Sequence, residues 1–130
     1  MREIKFRGYS KEKLIGSQWI TNGYGVSKIN YTDGTSSVHL LSPYGDYLVE
    51  EDSIGQYTGL KDKNGKEICE GDIIKYSHSI VGTIIREVRI KYGMWGIEGM
   101  TKGTQIPFAN LLENEYEVIG NKFENPELLG

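Results

Sequence analysis

The chain has 130 residues, of which 38% are hydrophobic and 25% charged, with a formal net charge of −3. That length suits one domain with a modest core, and the apolar and aromatic content is too high for a generally disordered chain. The acidic balance weighs against an extended phosphate-tracking surface, and no apolar run approaches the roughly 20 residues that span a bilayer.

Seventeen Gly against only three Pro punctuate the chain, a spacing that suits short strands joined by tight turns, so the fold class expected is all-β. From Glu3 to Tyr9 the pattern alternates, with Ile4 and Phe6 on one face and Lys5 and Arg7 on the other, as in a half-buried strand. After a polar turn at Lys11 to Lys13, residues Leu14 to Thr21 are expected to return antiparallel and complete an N-terminal hairpin. Val26 to Tyr31, a turn over Thr32 to Thr35, and Ser37 to Leu41 make a second hairpin, in which His39, out of phase with Val38 and Leu40, is expected to be exposed. A short strand at Tyr47 to Val49 and the acidic, solvated run Glu50-Glu51-Asp52 lead to an expected division between N-terminal β-hairpins over 1–53 and a small SH3-like β-barrel over 54–130.

The second half opens on Gln56 to Leu60 and reaches Asn64-Gly65, a pair that tolerates the two positive φ angles of a type I′ hairpin turn. Further strands are expected at Ile73 to Tyr76, Ile80 to Tyr92 with a break near Gly82, Trp95 to Glu98 and Thr104 to Phe108. A helical turn over Ala109 to Glu113 precedes a closing strand at Tyr116 to Phe123. Asn125-Pro126-Glu127 then reads as the start of a short C-terminal helix.

Residues that could carry chemistry are sparse. Zinc needs three or four ligands in paired spacings, and the chain offers one Cys and two His, Cys69, His39 and His78, without such pairs. Cys69 therefore reads as a small buried side chain, and a lone Cys in a chain with no signal-peptide pattern points to a reducing, cytoplasmic setting. Glu70 and Asp72 flank Gly71 as turn acids that bond backbone or solvent. Gly23-Tyr24-Gly25 lacks the third Gly and the helix of a dinucleotide fingerprint. No catalytic residue, metal site or cofactor is expected, and the chain reads as a non-enzyme. Cations and aromatics are the better candidates for partner or ligand contact: Lys5 and Arg7 on one strand face, Trp19 on the next, Gln56 and Tyr57 before the hairpin, and Arg89 and Trp95 in the second half.

The block from Gly55 through Lys75, centred on Asn64-Gly65 and including Gln56-Tyr57-Thr58 and Glu70-Gly71-Asp72, resembles the central motif of the YopX family of phage and prophage proteins. The opening Arg2-Glu-Ile-Lys-Phe-Arg7 and the closing Val118-Ile-Gly-Asn-Lys-Phe-Glu-Asn-Pro-Glu-Leu-Leu129 are similar too, while residues 22–50 and 77–110 match no fixed pattern. This resemblance implies a β-rich fold with a small barrel built mainly by the C-terminal half, a phage or prophage origin, a bacterial host cytoplasm, oligomers, and no established activity. The leading functional expectation is a non-enzymatic accessory protein that self-assembles and binds a host or phage protein. One alternative is an oligomeric protein that sequesters a small anionic ligand such as a nucleotide signal. Weak nucleic-acid binding, favoured by Lys5 and Arg7 on one strand face, by Lys61, Lys63 and Lys66 around the hairpin tip and by Arg89 and Lys91 on another face, is another.

Overall fold

Strand-forming stretches separated by Gly-rich turns leave little room for helices, and in the computed structural model the chain is all-β, with thirteen strands and a few short 3₁₀ helices among the described residues. The structure describes residues 4–78, 82–111 and 115–130. Expectations for Met1 to Glu3, for Ile80 at the head of the long strand, and for Leu112 and Glu113 at the end of the helical turn lie outside the described residues. The chain divides into two compact units, Met1–Tyr57 and Thr58–Gly130, just beyond the division expected from the sequence.

In the first unit, β1 (Phe6–Tyr9) pairs antiparallel with β2 (Trp19–Gly23), matching Tyr9 to Trp19 and Gly8 to Ile20. The hairpin is shorter than its sequence pattern. Ile15 is fully exposed in the connection, whose backbone is held by the Gln18 side chain bonded to the Leu14 N–H and the Glu12 carbonyl. Asn22, at φ 62°, falls in a bulge between the Gly8–Ile20 and Phe6–Gly23 pairs. Strands β3 (Gly25–Asn30), β4 (Ser36–Ser42) and β5 (Gly45–Leu48) form a meander in the order β3-β4-β5. Val38 and Leu40 of β4 turn inward with Val49, and Phe6, Ile20, Tyr47 and Ile54 pack around them. His39 lies on the opposite phase, as the alternation requires, but is half-buried and not exposed as expected. Ile4, expected beside Phe6 in the core, is 62% exposed because it precedes the first paired residue of β1.

Strand β6 (Gly55–Lys61) starts in the first unit, where Gly55 and Gln56 pair with Arg7 and Phe6, and ends in the second beside β7 (Glu67–Cys69). The hairpin is where the sequence put it, but its turn is of another kind. The Gly65 N–H donates to the Asp62 carbonyl and the Asp62 N–H donates to the Lys66 carbonyl, so Lys63-Asn64-Gly65 is a three-residue loop. Only Gly65 takes a positive φ, 81°, as the bulge residue after a turn.

The second unit continues with β8 (Asp72–His78) between β13 (Tyr116–Asn121) and β9 (Gly82–Glu87), and with β11 (Met94–Glu98) between β10 (Arg89–Lys91) and β12 (Gln105–Pro107). The long strand of the sequence reading is broken a second time at Val88. That residue exchanges backbone hydrogen bonds with the Gly71–Asp72 turn, donating to Asp72 and accepting from Gly71. Ile68, Ile74, Tyr76, Val88, Ile97, Phe108, Leu111 and Tyr116 form the core. Cys69 is wholly buried, and its N–H donates to the buried Asp72 carboxylate at 2.8 Å. Strand β13 stops at Asn121, short of Phe123. The terminal 3₁₀ helix Pro126–Leu129 begins at Pro126, while the Asn125 side chain accepts from the Asn121 N–H instead of capping it.

Candidate functional site

Lys5, Arg7 and Tyr9 alternate with core-facing Phe6 and Gly8, so their side chains share one face of β1. There the Lys5 ammonium lies 4.8 Å from the Tyr57 ring centre and the Arg7 guanidinium 4.7 Å from that of Trp19. Trp19 in turn meets Tyr9 edge-on at 5.3 Å. Gln56, paired with Phe6, borders the same strand. The structure thus gathers Lys5, Arg7, Trp19 and Tyr57 on one face in the first unit and engages both cations with rings, whereas Gln56, opposite Phe6, falls on the other face.

Arg89 and Trp95 belong to the second unit and serve different surroundings. Arg89 is fixed on three sides: its Nε donates to Gln105 Oε1 at 2.9 Å, Nη2 to the Thr104 carbonyl at 2.8 Å, and Nη1 stands 3.8 Å from Glu98. Lys91 donates to the Gly103 carbonyl at 3.0 Å. Glu98 accepts from the Gly103 N–H, and that bond, together with Arg89, Arg86 and Lys91, holds its carboxyl below the ordinary value against the effect of burial.

Trp95 lines an open cleft of about 600 Å³ whose other walls are Leu60, Met94, Pro107, Phe108, Ala109, Leu111 and Tyr116. The 3₁₀ turn Phe108–Asn110 presents Phe108 inward against Tyr116, ring centres 5.3 Å apart, and leaves Ala109 exposed at the rim. Exposed Leu60 and Met94 extend the apolar surface outward. Sequence reasoning found Trp95 and missed the rest, since Leu60, Met94 and Phe108 come from separate strands and a turn whose meeting is tertiary. Among the described residues, no three His, Cys, Asp or Glu side chains gather to hold a metal ion, and no helix is long and apolar enough to cross a membrane.

The deciding observation for kinship is a match of the YopX protein family model to residues 5–130. The chain belongs to the YopX family. Among solved structures, the crystal structure of protein EF1440 from Enterococcus faecalis is 27% identical, covers 98% of each chain and superposes with a TM-score of 0.54. Protein YopX from Bacillus subtilis is 20% identical, covers 97% of this chain and 95% of its own, and gives a TM-score of 0.56. None of the curated proteins matches in sequence. YopX membership points to a phage-related protein and names no activity.

Proposed function

We propose that this YopX-family chain is a non-enzymatic phage accessory protein that self-assembles and recognises a host or phage protein. The apolar cleft of the second unit carries the reading. Sites that bind and transform small molecules add a few convergent polar groups to an apolar pocket, and among the described residues of this cleft the polar side-chain groups are the Tyr116 hydroxyl and the Trp95 indole N–H, with no charged group. Trp, Met and Phe around a desolvated centre are instead the composition of a protein interface core. The cations that favoured nucleic acid in the sequence support the same reading by their engagement, Lys5 and Arg7 on rings and Arg89 with Gln105, Thr104 and Glu98.

Capture from phage-infected cells with the tagged chain is expected to retain a specific protein, and light scattering to give a mass above one subunit. Met94→Glu with Leu60→Glu alters exposed rim positions and is expected to abolish capture with an unchanged melting temperature. A monomeric mass together with no retained protein would overturn the proposal.

A further inference from the structure

Arg86 on β9 has a buried Nε that makes no hydrogen bond. Its Nη1 donates only to the adjacent Ile85 carbonyl, at 3.0 Å. An N–H taken out of water without a hydrogen-bond partner loses hydration and gains nothing in return, so the Arg86 Nε calls for an explanation even though the rest of the side chain is only half-buried. It lines a hollow of about 260 Å³ in the second unit, together with Ile85, Glu87, Arg89, Glu98 and Leu129.

The charges around the hollow are unevenly committed. Glu87 is paired with Lys122 at 3.1 Å. Glu98 takes the Gly103 N–H at 3.1 Å and stands 3.8 Å from Arg89. Arg89 spends Nε and Nη2 on Gln105 and Thr104, which makes it a fixed positive charge and not a free donor. Glu87 and Glu98 thus each have a closer cation or donor, and Arg86, whose charge also acts on Glu98, keeps a Nε and Nη2 edge that makes no hydrogen bond. That edge is the planar, two-donor arrangement that matches the paired oxygens of a carboxylate or phosphate. The walls set the rest of the ligand. Ile85 and Leu129 supply apolar surface, the volume lies below the roughly 300–1,000 Å³ of pockets for larger ligands, and among the described residues none that line the hollow is aromatic, so they offer a nucleobase no ring to stack on.

We propose that this hollow binds a small organic oxyanion, its carboxylate or phosphate head held by the Nε and Nη2 edge of Arg86 and its short apolar body set against Ile85 and Leu129. Arg89 contributes field and positioning without direct ligation. The site is separate from the apolar cleft and stands whether or not that cleft binds a protein.

The test is a ¹H–¹⁵N NMR titration of the full chain with butyrate, n-propyl phosphate and inorganic phosphate in parallel. Saturable shifts are expected for the Arg86 Nε–H and for amides of Ile85 to Arg89 and Leu129 with at least one organic anion, and the two organic arms tell a carboxylate head from a phosphate head. Inorganic phosphate, lacking the apolar body, is expected to bind more weakly. Arg86→Gln should weaken binding by on the order of tenfold or more, and Arg86→Lys, which keeps the charge but loses the fork, should weaken it nearly as much. The unchanged spectrum elsewhere checks that each variant is folded, with Arg86→Lys the milder change. Absence of saturable shifts with all three probes, shifts scattered over surface lysines, or equal binding by folded Arg86→Lys and Arg86→Gln variants and the parent would each overturn the proposal.

Discussion

Asp62 shows how much one side chain can organise. Its carboxylate is buried, and it accepts from the backbone N–H groups of Asn64, Lys66 and Val118, each at 2.9 Å. Burial alone would raise its pKa, but the three N–H donors and the Lys66 charge outweigh that and leave it below the ordinary aspartate value. A depressed carboxylate contributes stability that is present above the unfolded-state pKa of about 4 and is lost as the pH falls through the lower folded value. Asp62→Ala is therefore expected to cost about 1–3 kcal/mol at neutral pH, with the gap to the parent narrowing as the pH drops below about 4. Urea unfolding at pH 7 and in acid measures this, and a penalty that ignores pH would refute the role of the charge. Asp62→Asn keeps an oxygen for Asn64 and Lys66 but turns an NH₂ toward the Val118 N–H, so it should recover only part of the loss. Gly96 is a second single-residue constraint, since a Cβ there would run into the Ile106 carbonyl on the neighbouring strand. Backbone cannot yield as a side-chain tip can, and Gly96→Ala is expected to destabilise by about 1–3 kcal/mol in thermal unfolding.

Among the elements, the hairpins were legible from the sequence and their turn chemistry was not. Asn64-Gly65 marks a hairpin because both residues tolerate positive φ, yet Asp62 decides the loop by holding the N–H groups of Asn64 and Lys66, which closes a three-residue loop in which only Gly65 turns left-handed. The two-residue turn with two positive φ angles lies instead at Tyr92-Gly93, φ 54° and 75°, between paired Lys91 and Met94. Tyr is a poor residue for that conformation, so propensity could not have pointed there. Tyr92→Asn relieves the strain and forfeits only an exposed hydroxyl bond to the Gly103 carbonyl at 3.3 Å and the contact of Lys91 with the ring. It is expected to stabilise the chain by about 0.5–1 kcal/mol, since the left-handed cost for a non-glycine residue is about 1–2 kcal/mol. A lower melting temperature would show that the hydroxyl and the ring outweigh the backbone strain. Alternation placed Val38, Leu40, Lys5 and Arg7 on their correct faces, but strand ends escaped it, since Ile4 and Ile15 are exposed where pairing has not begun.

For the whole molecule, composition and Gly spacing were enough for the all-β class, and the motif around Asn64-Gly65 was enough for the family. The cleft around Trp95 was not readable, because its walls come from β6, β11, β12 and the Phe108 turn, which only the tertiary fold brings together. The boundary between the two units falls at 57/58, within the span of β6, and the sequence reading places its division at 53/54. Gly55 and Gln56 pair with β1, whereas the Thr58 hydroxyl donates to the Ile68 carbonyl at 2.9 Å. Each unit has its own apolar cluster, one around Leu40 and Val49 and the other around Ile74 and Ile97. Leu40→Ala and Ile74→Ala each delete a wholly buried side chain and are expected to cost about 2–5 kcal/mol. Their effects should differ in place. Under native conditions, amide hydrogen exchange is expected to accelerate through residues 6–56 for Leu40→Ala and through residues 58–121 for Ile74→Ala, with the change in β6 falling between Gln56 and Thr58. Equal acceleration of both clusters by either variant would mean that the two cores open as one cooperative unit.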